Sequence, residues 1–391
     1  MKTLPPHILC VNPWIHDFAA YDFWAKPLGL LGLAAILRKM GLRVTFKDCL
    51  DRFHPGAGPR VKVLEDGRGP YRKTPIALPP GLENEPRRYF RYGIDPEWFV
   101  GDLKQVEPPD LILVTSLMTY WAPGVRETIR VLKEVFPRTP VILGGIYATL
   151  WPDHARETSM ADHVITGPGE AGLPELIRTH TGYTFYPGYD ADDLDSLPWP
   201  AFDLVSKLTY VPILTSRGCP FACRYCASSF LEKRLRQRSP GSVLEEIRHW
   251  YHGYGVRNMA FYDDALLIHG ESHALPLLEA IARSGIDIRF HTPNALHIRE
   301  ITAETADLMF RAGFRTIRLG LETMDFSESR SLDHKVRYPE VVEALAHLKR
   351  AGFTPDSIGA YLLCALPGQD PGDVEASILA VKAMGITPVL A

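Results

Sequence analysis

No apolar run in these 391 residues is long enough to cross a bilayer. The longest helical one, Pro27 to Leu37, is stopped by Arg38-Lys39. The opening residues Met1 to His7 run straight into a strand-like segment, so no signal peptide is expected there. Excess charge is also scarce: 43 Lys and Arg stand against 46 Asp and Glu, a net charge of −3. That gives no general electrostatic reason for a nucleic-acid partner, and no membrane partner is expected. Cysteine is sparse at six residues, three of them in one short stretch. This is not the disulfide framework of a secreted domain, and a reducing cytoplasm is the expected compartment.

What is present is a globular composition, 46% apolar and 23% charged, with length for two or three domains. The three crowded cysteines lie in Arg217-Gly218-Cys219-Pro220-Phe221-Ala222-Cys223-Arg224-Tyr225-Cys226, a CxxxCxxC array directly after the apolar run Val211 to Leu214. A strand opening into a Cys-rich loop places ligands at the C-terminal mouth of a parallel sheet or barrel. Thiolates are soft ligands for iron–sulfur clusters or zinc. A closed zinc site wants four ligands, whereas the next histidine, His249, lies 23 residues beyond Cys226 with no partner at zinc-finger spacing. Three thiolates suit a cubane cluster with one iron left open.

Strand-like runs at His7–Asn12, Leu42–Leu50, Asp110–Thr115, Pro140–Leu143 and His163–Thr166 alternate with helical patterns, among them Leu28–Met40. They predict a Rossmann-like doubly wound parallel sheet over residues 1–180, with ligands beyond the strands' C-terminal ends. Residues 51–100 interrupt it with eight Pro, six Gly and the basic aromatic knot Arg87 to Tyr92; they read as a cap, a site for an anionic substrate, or an ordered surface meander. Residues 181–208 read as a linker. From 209 the pattern is again strand then helix, with strands at Asn258–Tyr262, Ile288–His291, Thr316–Gly320, Ile358–Leu363 and Ile386–Ala391. Ser242-Val243-Leu244-Glu245 reads as a capping box opening one of the helices.

CxxxCxxC with the aromatic Tyr225 before its third cysteine resembles the signature of the radical S-adenosylmethionine (SAM) enzymes. The resemblance implies that residues 209–391 form a six-stranded partial TIM barrel, in which a final helix is missing and the chain is expected to be truncated. It implies that Cys219, Cys223 and Cys226 hold a 4Fe–4S cluster whose open iron takes SAM, with Tyr225 in the cofactor-binding set. Glu322 would contact the ribose or amino group of SAM. Asp263 or Asp264 stands where many relatives have a Gly-Gly-Glu turn, and Leu366-Pro367-Gly368 would support the adenine. Each also has a plain reading, as a helix cap, a structural histidine or a turn.

Thr115-Ser116-Leu117 followed by Gly144-Gly145 is similar to two of the three elements of the cobalamin-binding Rossmann pattern. The third, DxHxxG, which supplies a histidine lower ligand, is absent, and His16-Asp17 has the wrong order. Domain order resembles the cobalamin-dependent radical SAM family, whose members often lack that histidine; there Thr115, Ser116, Leu117, Gly144 and Gly145 would cradle the cofactor's nucleotide tail. The resemblance implies a methyltransferase acting on an unactivated carbon of a small molecule or peptide, fed by a one-electron reductant such as flavodoxin or ferredoxin. Rearrangement or cyclisation, a non-catalytic cobalamin or cluster carrier, and a zinc-stapled binding module are the alternatives. A methylthiotransferase needs three further N-terminal cysteines, and only Cys10 and Cys49 lie there. His291, Asn294, His297 and the Arg87–Tyr92 knot are the candidate substrate contacts.

Overall fold

The structure, a computed structural model, describes residues 4–326, 336–366 and 368–391. It divides into two compact units, Met1–Leu208 and Thr209–Ala391. Among the described residues no helix is long and apolar enough to cross a membrane.

The first unit carries β1 (His7–Asn12), β2 (Ile15–Asp17), β3 (Arg43–Asp48), β4 (Lys73–Ile76), β5 (Tyr89–Tyr92), β6 (Leu111–Val114), β7 (Val141–Leu143) and β8 (His163–Val164). Five of these form a parallel sheet in the order β3-β1-β6-β7-β8. Its inner strands β1, β6 and β7 are mainly buried apolar runs because helices cover both faces. One face packs Leu9, Val11, Ile112 and Val114 against the helix Ala122–Val135, whose Val125, Ile129 and Leu132 recur at helical spacing and are fully buried. Each such side chain contributes about 2 kcal/mol. On the opposite face Ile8, Cys10, Leu111 and Leu113 meet the helix Leu28–Lys39. That helix ends in Arg38 and Lys39, which favour its negative pole, and Gly41 follows at φ +84°. The order reverses between β1 and β6, which makes the cleft beyond their C-terminal ends the ligand position of such a sheet.

Residues 51–100 are more regular than their composition suggests. β5 pairs antiparallel with β2 on one side and β4 on the other, giving a three-stranded sheet that sequence reading missed. Alternation in Tyr89-Phe90-Arg91-Tyr92 carries no clear period, since both faces are covered. Tyr89, Phe90 and Tyr92 are buried, and Arg91 is paired with Glu127 at 3.0 Å. Tyr89 to Tyr92 of the knot are therefore framework, while Arg87 and Arg88 are exposed. Ahead of it, the buried guanidinium of Arg52 donates to Asp22 (2.8 Å) and to the carbonyls of Lys62 (2.8 Å) and Gly67 (3.3 Å).

The second unit carries β9 (Val211–Ile213), β10 (Ser216–Arg217), β11 (Arg236–Gln237), β12 (Asn258–Phe261), β13 (Arg289–His291), β14 (Phe314–Glu322), β15 (Ile358–Leu362) and β16 (Thr387–Leu390). Six of them run parallel in the order β16-β15-β14-β13-β12-β9, sequential neighbours throughout, as in a partial TIM barrel. Phe261, Phe290 and Phe314 stack on one another with centroids 5.2 to 5.5 Å apart. His291, one residue on from Phe290, points to the other face. The helix expected to open at Ser242 instead spans Pro240–Arg248, capped by the Ser239 hydroxyl accepting from the Ser242 N–H. Pro240 explains the shift: its fixed φ and missing N–H suit the first helical position, so the cap falls on the residue before it.

Candidate cofactor sites

The cysteine loop is fastened at its neck. β10 and β11 pair antiparallel, Arg217 opposite Arg236, so residues 218–235 leave and return at one place. Gly218 makes the turn at φ +87°, and a Cβ there would stand 2.6 Å from the Arg234 carbonyl oxygen. No other residue fits. Beyond it Cys219, Cys223 and Cys226 are half-buried and none is in a disulfide. A turn from the Cys226 N–H to the Cys223 carbonyl (3.1 Å) sets the last two close in the chain. Ser228 then turns back on Cys226, its N–H donating to Sγ at 3.4 Å with its hydroxyl oxygen 3.2 Å from the same sulfur. Burial pushes the Cys219 thiol up, against a bond from the Phe221 N–H, with Asp264, Cys223 and Cys226 adding in the same upward sense. His297 Nε2 lies 3.8 Å from Cys219 Sγ, its ring 4.4 Å from that of Phe221. Among the described residues no three His, Cys, Asp or Glu converge on a single-ion position. A cluster asks for something else, one iron per thiolate with N–H donors at the sulfurs, and this loop has both parts. Cys10 and Cys49 are fully buried, Cys10 pushed up to about 12 by that burial, and serve as core residues.

The two aspartates part ways. Asp263 is buried, and one carboxylate oxygen accepts from the Thr215 N–H (2.9 Å), the Thr215 hydroxyl (2.7 Å) and the Ser216 hydroxyl (2.6 Å). It ties the end of β12 to the end of β9, a framework role in place of the SAM contact expected of it. Asp264 is solvent-exposed, yet hydrogen-bonded to Ser228 and surrounded closely enough for burial to raise its carboxyl pKa. Ser228 thus joins Cys226 to Asp264. Sequence reading missed this serine; the available signal was a short polar residue two positions past the last cysteine, able to fold onto it.

Glu322 ends β14 in a left-handed conformation, φ +68°, where the register with β15 slips. The kink brings its Oε1 back over Gly320, 3.4 Å from where a Cβ would stand. A buried non-glycine residue held in this region of backbone space is strained. Gly368, at φ +77°, faces open space. Its loop is held by Gln369, which donates from Nε2 to the Leu363 carbonyl (3.0 Å) and accepts from the Leu366 N–H (3.2 Å). Pro367 lies outside the described residues. Tyr225 is half-buried in the cysteine loop.

Two substrate candidates belong to the framework. The His291 ring sits between Thr316 Oγ1 (3.0 Å) and Asn258 Oδ1 (3.3 Å), fully buried. Its partners are strand residues on both sides, which leaves it no face for a substrate. Asn294 Nδ2 donates to the carbonyls of Tyr262 (2.8 Å) and Asp263 (3.4 Å), fixing the turn that presents Asp264. His297 is at the cysteines.

In the first unit, Thr115, Ser116 and Leu117 follow β6 and Gly144-Gly145 follow β7. Ser116 fastens the two: its hydroxyl donates to the Gly144 carbonyl (2.6 Å), and its own carbonyl accepts from the Ile146 N–H (2.9 Å). Gly145 is at φ +96°, and a Cβ would stand 2.3 Å from the Ser116 carbonyl oxygen. Gly144 is the opposite case, open except for the Ile165 carbonyl 4.0 Å away. Leu117, Met118 and Ile165 are exposed beside it. Backbone that a large ligand can approach, edged with apolar side chains, fits the tail of a cobalamin. His16 is committed to Glu127, 2.7 Å from Nε2, and stays part of the framework.

A doubly wound sheet with an open glycine ledge, joined in one chain to sequential parallel strands with three thiols outside any disulfide at their mouth, defines an α/β protein built for two cofactors. Residues 213–381 match the radical SAM superfamily and residues 92–177 match the B12 binding domain. The chain belongs to the radical SAM enzymes that carry a B12 binding domain, whose cofactors are a 4Fe–4S cluster, SAM and cobalamin. It is 24% identical over 305 residues to the "uncharacterized methyltransferase PH0819" of Pyrococcus horikoshii, covering 71% of this chain and 65% of that one. It is 23% identical to the cytidylyl-2-hydroxyethylphosphonate methyltransferase of Streptomyces wedmorensis, covering 87% and 69%. The fold matches that of the radical SAM methyltransferase TsrM from Kitasatospora setae with a TM-score of 0.70 at 17% identity, over 99% of this chain and 73% of that one. The chain thus spans about two thirds of the length of these two curated relatives.

Proposed function

We propose that the protein is a cobalamin-dependent radical SAM methyltransferase that acts on an unactivated carbon. The observation that carries this is the cysteine loop: three half-buried thiols at a barrel mouth, none in a disulfide, with N–H groups turned toward two of the sulfurs. When bound, the cluster and SAM supply one-electron cleavage of a sulfonium, and cobalamin supplies a methyl carrier. The chain's own part is to hold and orient. Cys219, Cys223 and Cys226 anchor the cluster; Ser228 and Phe221 steady the sulfurs. Asp264 and Glu322 are the carboxylates available to the amino and ribose groups of SAM, and the Gly368 turn is open to its adenine. Ser116 and Gly145 shape the ledge for the cobalamin tail, with Thr115, Leu117 and Gly144 at its surface. A low-potential one-electron donor of the flavodoxin or ferredoxin class is the partner this chemistry requires. The names of these two relatives support methyl transfer, although other matching relatives, at 24 to 26% identity, are magnesium-protoporphyrin IX monomethyl ester cyclases.

Anaerobic reconstitution with iron, sulfide and hydroxocobalamin tests the reading. Expected are a brown iron–sulfur chromophore, stoichiometric cobalamin, and reductant-dependent release of 5′-deoxyadenosine or S-adenosylhomocysteine from SAM. A protein that takes up zinc but no iron–sulfur cluster overturns it.

A further inference from the structure

Of the three candidate substrate contacts, His297 is the one that lies against the cysteine loop. Its backbone is held on both sides. The Leu296 N–H donates to the Arg318 carbonyl at 2.7 Å and the Gly320 N–H donates to the Leu296 carbonyl at 3.0 Å, clipping the loop to β14. The next residues make a 3-10 turn, in which the Glu300 N–H returns to the His297 carbonyl at 3.1 Å. A side chain set by such a rigid support is aimed, not merely adjacent. It is aimed at the cysteine loop, with Nε2 3.8 Å from Cys219 Sγ and the ring packed on Phe221 two residues further on.

We infer that His297 is a positioning and tuning residue for the cluster: its Nε2–H donates to the Cys219 thiolate. The inference rests on the cluster reading above and goes beyond it, because it assigns a further side chain to the cluster's surroundings and a direction to its effect. A hydrogen bond to a ligand sulfur favours the more negative, reduced cluster, so it raises the reduction potential. Donors then stand at both ends of the motif. Cys219 has Phe221 and His297; Cys226 has Ser228. His297 acts through Cys219 and touches no reacting atom.

Two variants separate the N–H from the ring. His297→Phe keeps an aromatic ring against Phe221 and removes the donor; His297→Gln removes the ring and keeps an N–H. The measurement is an anaerobic redox titration of the reconstituted chain without SAM or substrate, followed by electron paramagnetic resonance, with iron and sulfide counted in each sample. The expected result is a midpoint shifted to lower potential in His297→Phe and returned toward wild type in His297→Gln. Cluster loss in His297→Phe alone likewise supports the bond, since only the donor differs in kind. An unchanged midpoint in a fully loaded His297→Phe overturns the inference, as does cluster loss in both variants, which assigns the residue to packing. A wild-type chain that binds no cluster instead overturns the cofactor reading, a failure the iron count shows before any variant is made.

Discussion

Asp263, at the end of β12, accepts both the N–H and the hydroxyl of Thr215, at the end of β9, on a single carboxylate oxygen at 2.9 and 2.7 Å. Its second oxygen is buried and has no hydrogen-bond partner among the described residues. Burial outweighs the bonds from Ser216 and Thr215, and the carboxyl is pushed up from 3.8 to about 6. The folded state therefore holds this proton more tightly than the unfolded chain does. Between pH 4 and 6 the folded chain carries more protons here, so stability falls as pH rises through that window. The loss amounts to about 3 kcal/mol. Asp263→Asn, which keeps an accepting oxygen and cannot ionise, is expected to flatten that part of the profile. Urea unfolding of both proteins across the window decides it: parallel curves would sink the claim.

Replacing Cys223 with Ala is expected to abolish the iron–sulfur chromophore and SAM cleavage, because three thiolates are the smallest set that leaves one iron open. Cobalamin uptake should persist, since its ledge lies on separate elements. Iron, sulfide and cobalt analysis on one sample checks both halves, and a loaded, SAM-cleaving variant would refute the ligand assignment.

Gly145→Ala puts a side chain at φ +96° and 2.3 Å from the Ser116 carbonyl oxygen. Backbone strain alone costs about 1–3 kcal/mol, so cobalamin affinity should fall by about fivefold or more. Ser116→Ala loses the 2.6 Å bond to Gly144 and should weaken binding less, by about 1 kcal/mol. Equilibrium titration with hydroxocobalamin ranks them; equal affinities would remove the ledge from the site.

Glu322→Gly and Glu322→Ala delete the same carboxylate, and both should lower SAM affinity without loss of iron. They should differ in stability in an unusual sense. Glycine ordinarily weakens a strand relative to alanine, but at φ +68° alanine bears the strain and glycine does not. The glycine variant is expected to be the more stable by about 1 kcal/mol, read from thermal melts. The reverse order would mean that the strand end relaxes once the acid is gone.

The alternating sheet and helix pattern was legible because apolar runs such as His7–Asn12 and Asn258–Phe261 are long, bounded and buried on both faces. The fold class follows from that pattern, and the cysteine loop from its spacing. Less legible were roles that depend on which way a side chain turns. Asp263 and Asp264 are neighbours of identical chemistry, and only the strand end decides that one is enclosed by Thr215 and Ser216 while the other meets Ser228. His291 and His297 are likewise alike as letters; Thr316 and Asn258 enclose the first, and the clip at Leu296 swings the second to Cys219. The sheet formed by β2, β4 and β5 escaped notice because its strands are three or four residues long and its partners are remote in sequence.

Arg52 shows how little is needed to order a stretch that looks structureless. Eight prolines between residues 51 and 100 have surrendered much of their backbone freedom before folding begins, so less entropy remains to be overcome. One planar fork of donors, joining Asp22 to the carbonyls of Lys62 and Gly67, then serves as a miniature core for the first part of it. A core made of one guanidinium has no gradations. An oily cluster tolerates the trade of one methyl for another, whereas here the fork is either present, with three lengths of chain gathered on it, or absent, and they part together.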